Sequence, residues 1–325
     1  WASVAGAPLV LRASLGEPVD DLLAALRRAP AGRVGIELHL AVPSECECAC
    51  AFCSKDGRAP DPAPEPALER ACALAEAARP LSRAGSPLSV VLVGNDALRF
   101  PAFDALLAIW ADVAPDTFEI VTPGTSLADP LVAERLSASG LAPCLSMTLH
   151  GPDEATHDAV AGLVGAFQRL QNAVNNCRAW GLSVHLHHVL TASALASLPQ
   201  TLALAASWCE HVSLVAFASE PHHHDPKQTP RAFLDAMVPA PRAVRAALED
   251  YEELLGQTLV ALAGFPACLV PVSLRARLFY GGPGRSDLPS ELPPACRSCS
   301  ANPAMCPGPD RGTLAVHGAE WLQPL

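Results

Sequence analysis

The feature that most constrains the fold is an alternation of short apolar runs with amphipathic segments. Each run reads as a strand, and each following segment spaces its apolar residues as a helix does. Strands separated by helices run parallel, because every crossover returns the chain to the same edge of the sheet. The sequence therefore predicts an α/β fold. The predicted strands are residues 34–42, 88–94, 117–124, 143–151, 182–191 and 211–219.

The number of predicted strand–helix units restricts which α/β architecture the chain can form. Six units are too few for an eight-stranded barrel, so we predict a partial (β/α)6 barrel over residues 34–224. Residues 1–33 form an N-terminal extension that adds a strand and a helix. Residues 225–325 form a Pro/Gly-rich C-terminal extension, with one helix predicted over 240–264. Functional residues of such folds gather on the loops that follow the strands.

Composition excludes several classes of protein. The 325 residues carry a net charge of −11, and they lack a basic stripe, so we expect no nucleic-acid partner. No apolar run approaches the ~18 residues of a membrane span. The N-terminus has neither a basic leader nor an initiating Met, so we expect a trimmed end rather than a signal peptide. Seven of the twelve cysteines are clustered, four at 46–53 and three at 296–306, in a long globular chain, which favours metal binding and a cytoplasmic location.

Four of these cysteines, Cys46, Cys48, Cys50 and Cys53, lie within the eight residues after the first predicted strand of the barrel. Three explanations compete: a disulfide staple, a zinc site, or a metal cluster that performs chemistry. Disulfide scaffolds are usually short chains, unlike this one. Structural zinc normally takes four ligands, often as two CxxC pairs far apart in sequence.

Three of the four, Cys46, Cys50 and Cys53, are spaced C-x3-C-x2-C, and Phe52 precedes the last. This motif after a first barrel strand resembles the radical S-adenosylmethionine (radical SAM) superfamily. The resemblance implies a 4Fe-4S cluster on three thiolates, with one iron open to S-adenosylmethionine (AdoMet). It further implies a flavodoxin- or ferredoxin-type electron donor and a 5′-deoxyadenosyl radical that abstracts hydrogen from a substrate. Cys48 does not fit the spacing, and we expect it to be a bystander or a minor alternative ligand.

Residues on or directly after three other predicted strands extend the resemblance. Gly94-Asn95-Asp96 stands where the superfamily carries a GGE-like loop for the methionine amino group. Thr148 and His187 match strand positions near AdoMet, and His150 stands where many members have Asp. The resemblance implies that Gly94, Asn95, Asp96, Thr148 and His187 bind the cofactor. Ordinary structural roles compete: a strand-to-helix turn at Gly94, a helix cap at His157-Asp158, and a core histidine at His187.

The segment "LHGPDEATHDAVAGLVGAF" is similar to one in peptide-modifying members of the superfamily. It implies a ribosomally made peptide as substrate, whose side chain is cross-linked or oxidised. A small metabolite is the alternative within the superfamily. A non-catalytic zinc-binding scaffold is the alternative outside it.

The C-terminal extension carries a second group of cysteines, Cys268, Cys296, Cys299 and Cys306. Four thiolates can coordinate all four irons of a second 4Fe-4S cluster, or a structural zinc ion. The pattern is similar to the auxiliary-cluster extensions of peptide-modifying radical SAM enzymes, and we predict the cluster. The run His222-His223-His224-Asp225 invites a metal site, but a solvated loop is favoured because no rigid element spaces the ligands.

Overall fold

The computed structural model describes residues 8–50, 52–53, 63–217, 231–279, 293–300, 306, 308–309 and 311–323. The chain divides into two compact units. The first contains the described residues of 1–49, 56–147 and 165–184. The second contains those of 50–55, 148–164 and 185–325.

Within each unit the paired strands are parallel and follow one another in chain order. The longest register joins Ile36–Val42 to Leu88–Gly94, so the second and third strands end at the same level. The loops after these two strands are the cysteine loop and the Gly94-Asn95-Asp96 loop. The strands are β1 Leu9–Ser14, β2 Ile36–Val42, β3 Leu88–Gly94, β4 Thr117–Val121, β5 Cys144–Thr148, β6 Ser183–Leu190, β7 His211–Ala216, β8 Leu259–Ala263 and β9 Leu278–Phe279.

Helices separate most consecutive strands, and local signals fix several of their ends. Asp129 and Asp153 cap two of them by accepting the backbone N–H groups of Leu131 and Thr156. The α-helices of the described residues are α1 Asp20–Arg28, α2 Pro64–Arg83, α3 Phe103–Val113, α4 Pro130–Ala138, α5 Glu154–Ala161, α6 Ala166–Ala179, α7 Leu198–Trp208, α8 Arg231–Met237, α9 Pro241–Asp250, α10 Glu252–Thr258, α11 Pro294–Arg297 and α12 Arg311–His317.

The predicted parallel α/β fold is confirmed. The six predicted strands correspond to β2 through β7, and the N-terminal strand and helix correspond to β1 and α1. The single helix predicted over 240–264 is wrong. The structure has α9 and α10 there, and Leu259–Ala263 forms β8 beside β7. A short apolar run that is buried in a parallel sheet lacks a period that distinguishes it from a buried helix.

Each unit has an apolar core. In the first, Leu38 and Leu40 of β2 are fully buried, and the intervening His39 is buried as well, as expected for a parallel strand covered on both faces. In the second, Phe217 forms a buried cluster with Leu234 and Val238, and Phe52 of the cysteine loop packs against this cluster. No helix among the described residues is long and apolar enough to cross a bilayer.

Candidate functional site

The three motif cysteines follow β2, and none of them forms a disulfide with another described residue. Cys46 belongs to the first unit, whereas Cys50 and Cys53 belong to the second. Cys46 and Cys50 are half-buried and Cys53 is exposed. The backbone N–H of Cys53 donates to the carbonyl of Cys50 at 3.0 Å, which forms a tight turn between these two residues. Thiol sulfurs in such a loop are suitable donors for iron or zinc.

Polar contacts within the first unit hold the start of the cysteine loop. The amide of Asn95 donates to the carbonyl of Ser44 at 2.9 Å. The carboxylate of Glu47 accepts from Arg99 at 2.7 Å and from Arg169 at 2.6 Å. Two guanidinium groups from different elements therefore fix the residue that follows Cys46. We call Glu47, Arg99 and Arg169 the arginine clamp.

Cys46 and Cys48 interact with each other in this loop. Hydrogen bonding with Cys48, followed by burial, raises the pKa of the Cys46 thiol well above its usual range. A metal ligand must be a thiolate, so metal binding has to displace this proton. That Cys48 is a bystander or a minor alternative ligand stays a prediction.

The backbone of the loop after β3 requires glycine at position 94. Gly94 has a φ of +141°, and a Cβ there would lie 2.6 Å from the carbonyl oxygen of Val42. Only glycine permits this close approach between the ends of β3 and β2. The side chain of Asn95 is engaged with the cysteine loop, as described above. Both residues therefore shape the backbone at the ends of the strands.

Asp96 is fully buried and its carboxylate is satisfied internally. It accepts from the hydroxyl of Thr122 at 2.7 Å, the hydroxyl of Ser126 at 2.9 Å and the backbone N–H of Leu98 at 3.3 Å. Burial raises the pKa of Asp96, while the hydrogen bonds oppose that rise. The side chain thus ties its loop to the segment after β4.

In the second unit, the end of β5 leads to a histidine beside the cysteine loop. Thr148 is the last residue of β5 and is half-buried. Two residues later, His150 places its Nε2 atom 3.8 Å from the sulfur of Cys50. The His150 ring contacts the edge of Phe52, with ring centroids 5.4 Å apart, and lies 5.0 Å from the ring of His157.

These histidines are uncharged at neutral pH. Burial, with smaller contributions from His157 and His188, lowers the pKa of His150 to about 3. Burial lowers the pKa of His157 to about 4. The Nδ1 atom of His157 accepts the backbone N–H of His150 at 3.1 Å, so His157 carries its proton on Nε2. His157 therefore supports the backbone of His150, and the cap of α5 is Asp153 instead.

His187 lies on β6 beside a second polar group of the second unit. Its ring centroid is 4.1 Å from that of His185, whose Nε2 is 2.7 Å from the hydroxyl of Ser213. Burial and then His185 lower the pKa of His187 to about 3. Burial alternates along β6, so His188 lies on the opposite face from His185 and His187, as a strand requires.

The four C-terminal cysteines are brought together in the second unit. They line a single cavity, which we call the C-terminal thiol cavity, although Cys268 and Cys306 are far apart in sequence. Burial first, and then the other three thiols, raises the pKa of Cys296 to about 11. The other described residues that line this cavity are Pro266, Ala295, Gly308, Leu322 and Gln323.

Two backbone N–H groups donate to the sulfur of Cys306. The N–H groups of Ala267 and Gly308 point to it at 3.3 and 3.4 Å. None of these four described thiols belongs to a group of three ligand atoms within 4.8 Å of one another. Sulfurs around one zinc, at 2.3 Å from the metal, would be about 3.8 Å apart. The described thiols are therefore spaced more widely than the ligands of a closed zinc site.

No protein-family model matches the chain. The AdoMet-dependent heme synthase of Nitratidesulfovibrio vulgaris is 27% identical to it over 176 residues, which are 54% of this chain and 45% of that protein. The match thus spans less than half the length of this curated relative. The structure of the Escherichia coli coproporphyrinogen III oxidase HemN, a radical SAM enzyme, matches with a TM-score of 0.52 and 19% identity. That match covers 74% of this chain and 56% of HemN.

The resemblance to the radical SAM superfamily is confirmed. The structure of anSMEcpe with bound AdoMet and the Cp18Cys peptide also matches, with a TM-score of 0.53 and 15% identity over 70% of this chain and 63% of that one. At these identities the two structures establish the fold alone, which is the radical SAM type of partial barrel predicted from the sequence.

Sequence reasoning missed the contacts that support the radical SAM motif. The arginine clamp and the His150–Cys50 contact each join residues that are 50 or more positions apart, and no local spacing reveals them. The one available signal was the histidine at position 150, where many superfamily members have Asp. The run His222–Asp225 lies outside the described residues.

Proposed function

We propose that this chain is a radical SAM enzyme in which Cys46, Cys50 and Cys53 hold a 4Fe-4S cluster. The observation that carries the proposal is the C-x3-C-x2-C spacing of three thiols, none in a disulfide, in the loop that directly follows β2. Three thiolates leave one iron without a protein ligand. When bound there, AdoMet supplies reductive cleavage of its sulfonium and a 5′-deoxyadenosyl radical that abstracts hydrogen from the substrate.

The chain's own residues hold and orient these groups. The backbone of Gly94, Asn95 and Asp96 offers donors and acceptors for the methionine part of AdoMet, and Thr148 and His187 are the further contacts. The carboxylate of Asp96 supports the loop and does not contact AdoMet, because three internal donors already occupy it. The cofactor carries the difficult chemistry, while the protein fixes geometry and excludes water. An electron donor of the flavodoxin or ferredoxin type completes the system.

For the substrate, we favour a ribosomally made peptide. The support is the "LHGP…HD…GAF" segment together with the fold match to anSMEcpe, a protein whose structure holds a peptide beside AdoMet. A small molecule is the second candidate, supported by the sequence match to the AdoMet-dependent heme synthase. If the substrate is a peptide, the peptide changes mass when AdoMet is consumed. If the substrate is a small molecule, that molecule changes mass instead.

We also propose that residues 225–325 act as an extension of a barrel over 34–224 and carry a second 4Fe-4S cluster on Cys268, Cys296, Cys299 and Cys306. The wide spacing of the four described thiols and the two N–H groups directed at Cys306 support a cluster over zinc. Amide donors to a cluster sulfur stabilise its negative charge.

The experiment is anaerobic reconstitution with iron and sulfide, followed by dithionite and AdoMet. We expect a brown protein with broad absorbance near 400 nm, and 5′-deoxyadenosine as a product. Mass spectrometry of added peptides and of added porphyrin precursors then distinguishes the two substrate classes. A colourless protein with stoichiometric zinc and no 5′-deoxyadenosine would favour the non-catalytic scaffold and overturn the proposal.

A further inference from the structure

One side chain that the sequence analysis gave no role lies against a motif cysteine. The Nε2 atom of His150 is 3.8 Å from the sulfur of Cys50, within hydrogen-bonding range of a sulfur acceptor. Sulfur accepts hydrogen bonds weakly as a thiol, and charged acceptors form the stronger bonds. A Cys50 thiolate would therefore be a better partner for this nitrogen than the thiol is.

The position of His150 is fixed from several sides. Its backbone N–H donates to Nδ1 of His157 at 3.1 Å. The neighbouring Leu149 donates to the carbonyl of His187 at 2.9 Å and accepts from Nδ1 of His188 at 2.8 Å. The ring itself is buried and packs against the edge of Phe52. Such a ring has little freedom to turn its Nε2 atom away from Cys50.

We propose that His150 is a positioning residue whose Nε2–H donates to the Cys50 thiolate and raises the reduction potential of the cluster. The inference rests on the proposed function, since it requires iron at Cys50. Reduction adds negative charge to the cluster and its sulfurs, and a directed N–H group stabilises the reduced form more than the oxidised form. The effect is strengthened because the ring is shielded from water.

The wild-type chain and three variants test this inference. His150→Phe keeps an aromatic ring against Phe52 but removes the donor. His150→Gln keeps an N–H group at about the reach of Nε2. His157→Asn is the matched control, because it alters a neighbouring buried histidine while retaining an acceptor for the His150 backbone. The readout is an EPR-monitored redox titration that follows the signal altered by AdoMet, which identifies the cluster with the open iron.

We expect His150→Phe to lower the ratio of reduced to oxidised cluster about tenfold at a fixed potential, which is about 59 mV for a one-electron couple. His150→Gln should recover most of this loss, and His157→Asn should match the wild type. An unchanged potential in His150→Phe, equal shifts in the Phe and Gln variants, or an equal shift in His157→Asn would each overturn the inference. Wild-type protein that binds no iron would instead overturn the proposed function.

A second measurement does not depend on the Phe variant assembling a cluster. Pulsed EPR of wild-type protein labelled with nitrogen-15 histidine should show a weak nitrogen coupling to the reduced cluster. The coupling should disappear in labelled His150→Gln and persist in labelled His157→Asn. A coupling that persists in His150→Gln, or no coupling in the wild type, would contradict a hydrogen bond from His150.

Discussion

The cysteine loop and the C-terminal thiol cavity are two cysteine-rich sites built in different ways. The loop offers three motif thiols, and charged or polar side chains hold it: the arginine clamp in the first unit and His150 in the second. The cavity offers four thiols between mainly apolar walls. Three thiols leave a coordination position for a ligand, whereas four close the site. The number of thiols therefore suits the cysteine loop to a site that binds a reacting ligand, and the C-terminal thiol cavity to a closed site.

The two sites also differ in what supports them when no metal is bound. The start of the cysteine loop follows β2 and is anchored by Asn95, the residue directly after β3, and by Arg169 of α6. The cavity is lined by the four-residue helix α11 and by loops. Metal binding to a weakly structured segment contributes directly to its folding. We therefore expect metal loss to affect function at the loop and stability at the cavity.

The most severe way to test this comparison is to remove the three motif thiols together. In Cys46→Ala/Cys50→Ala/Cys53→Ala, AdoMet cleavage should be abolished and about half the iron should remain, because a second four-iron cluster would be untouched. Iron analysis and chromatography of 5′-deoxyadenosine measure both effects. Cys48→Ala is the control and should retain iron and cleavage. If the triple variant retains no iron, the cavity does not hold a cluster.

Removing thiols from the cavity should give the complementary result. In Cys296→Ala/Cys299→Ala, the other half of the iron should be lost, and the melting temperature should fall because metal binding no longer supports the fold of the tail. AdoMet cleavage without substrate should continue. Thermal unfolding and iron analysis are the measurements, with Cys72→Ala, an exposed thiol outside both sites, as control. Loss of zinc, with iron unchanged, would assign the cavity to zinc.

The sequence indicates the candidate sites more readily than the contacts that support them. Cysteine spacing is local, so Cys46, Cys50 and Cys53 stand out as candidate ligands, and the six strands were visible because each is a bounded apolar run. The contacts that hold the loop are not local: Glu47 and Arg169 are 122 positions apart, and Cys50 and His150 are 100 apart. Only the fold brings such residues together. The reading of Leu259–Ala263 as helix failed for the related reason that burial in a parallel sheet removes the strand period.

The smallest expected effect comes from the arginine clamp. Glu47→Gln removes the charge that joins Arg99 and Arg169 beside Cys46. All three side chains are at least about one-third exposed, so each ion pair is worth roughly 0.2–1 kcal/mol. Losing both pairs costs roughly 0.4–2 kcal/mol, which is an expected reduction of about two- to thirtyfold in the stability of the cluster toward a chelator, with AdoMet cleavage retained once iron is bound.

The matched control for the clamp is Glu45→Gln, which neutralises an exposed carboxylate of the same loop that has no ion pair with another described residue. Chelator-induced bleaching near 400 nm, followed at low and at high salt, separates the two variants. Because salt screens exposed pairs, the difference between them should shrink at 1 M salt, where the screening length is about 3 Å. Equal bleaching of both variants at low salt would mean that the loop needs no charged support. The contrast with the cavity would then rest on the number of thiols alone.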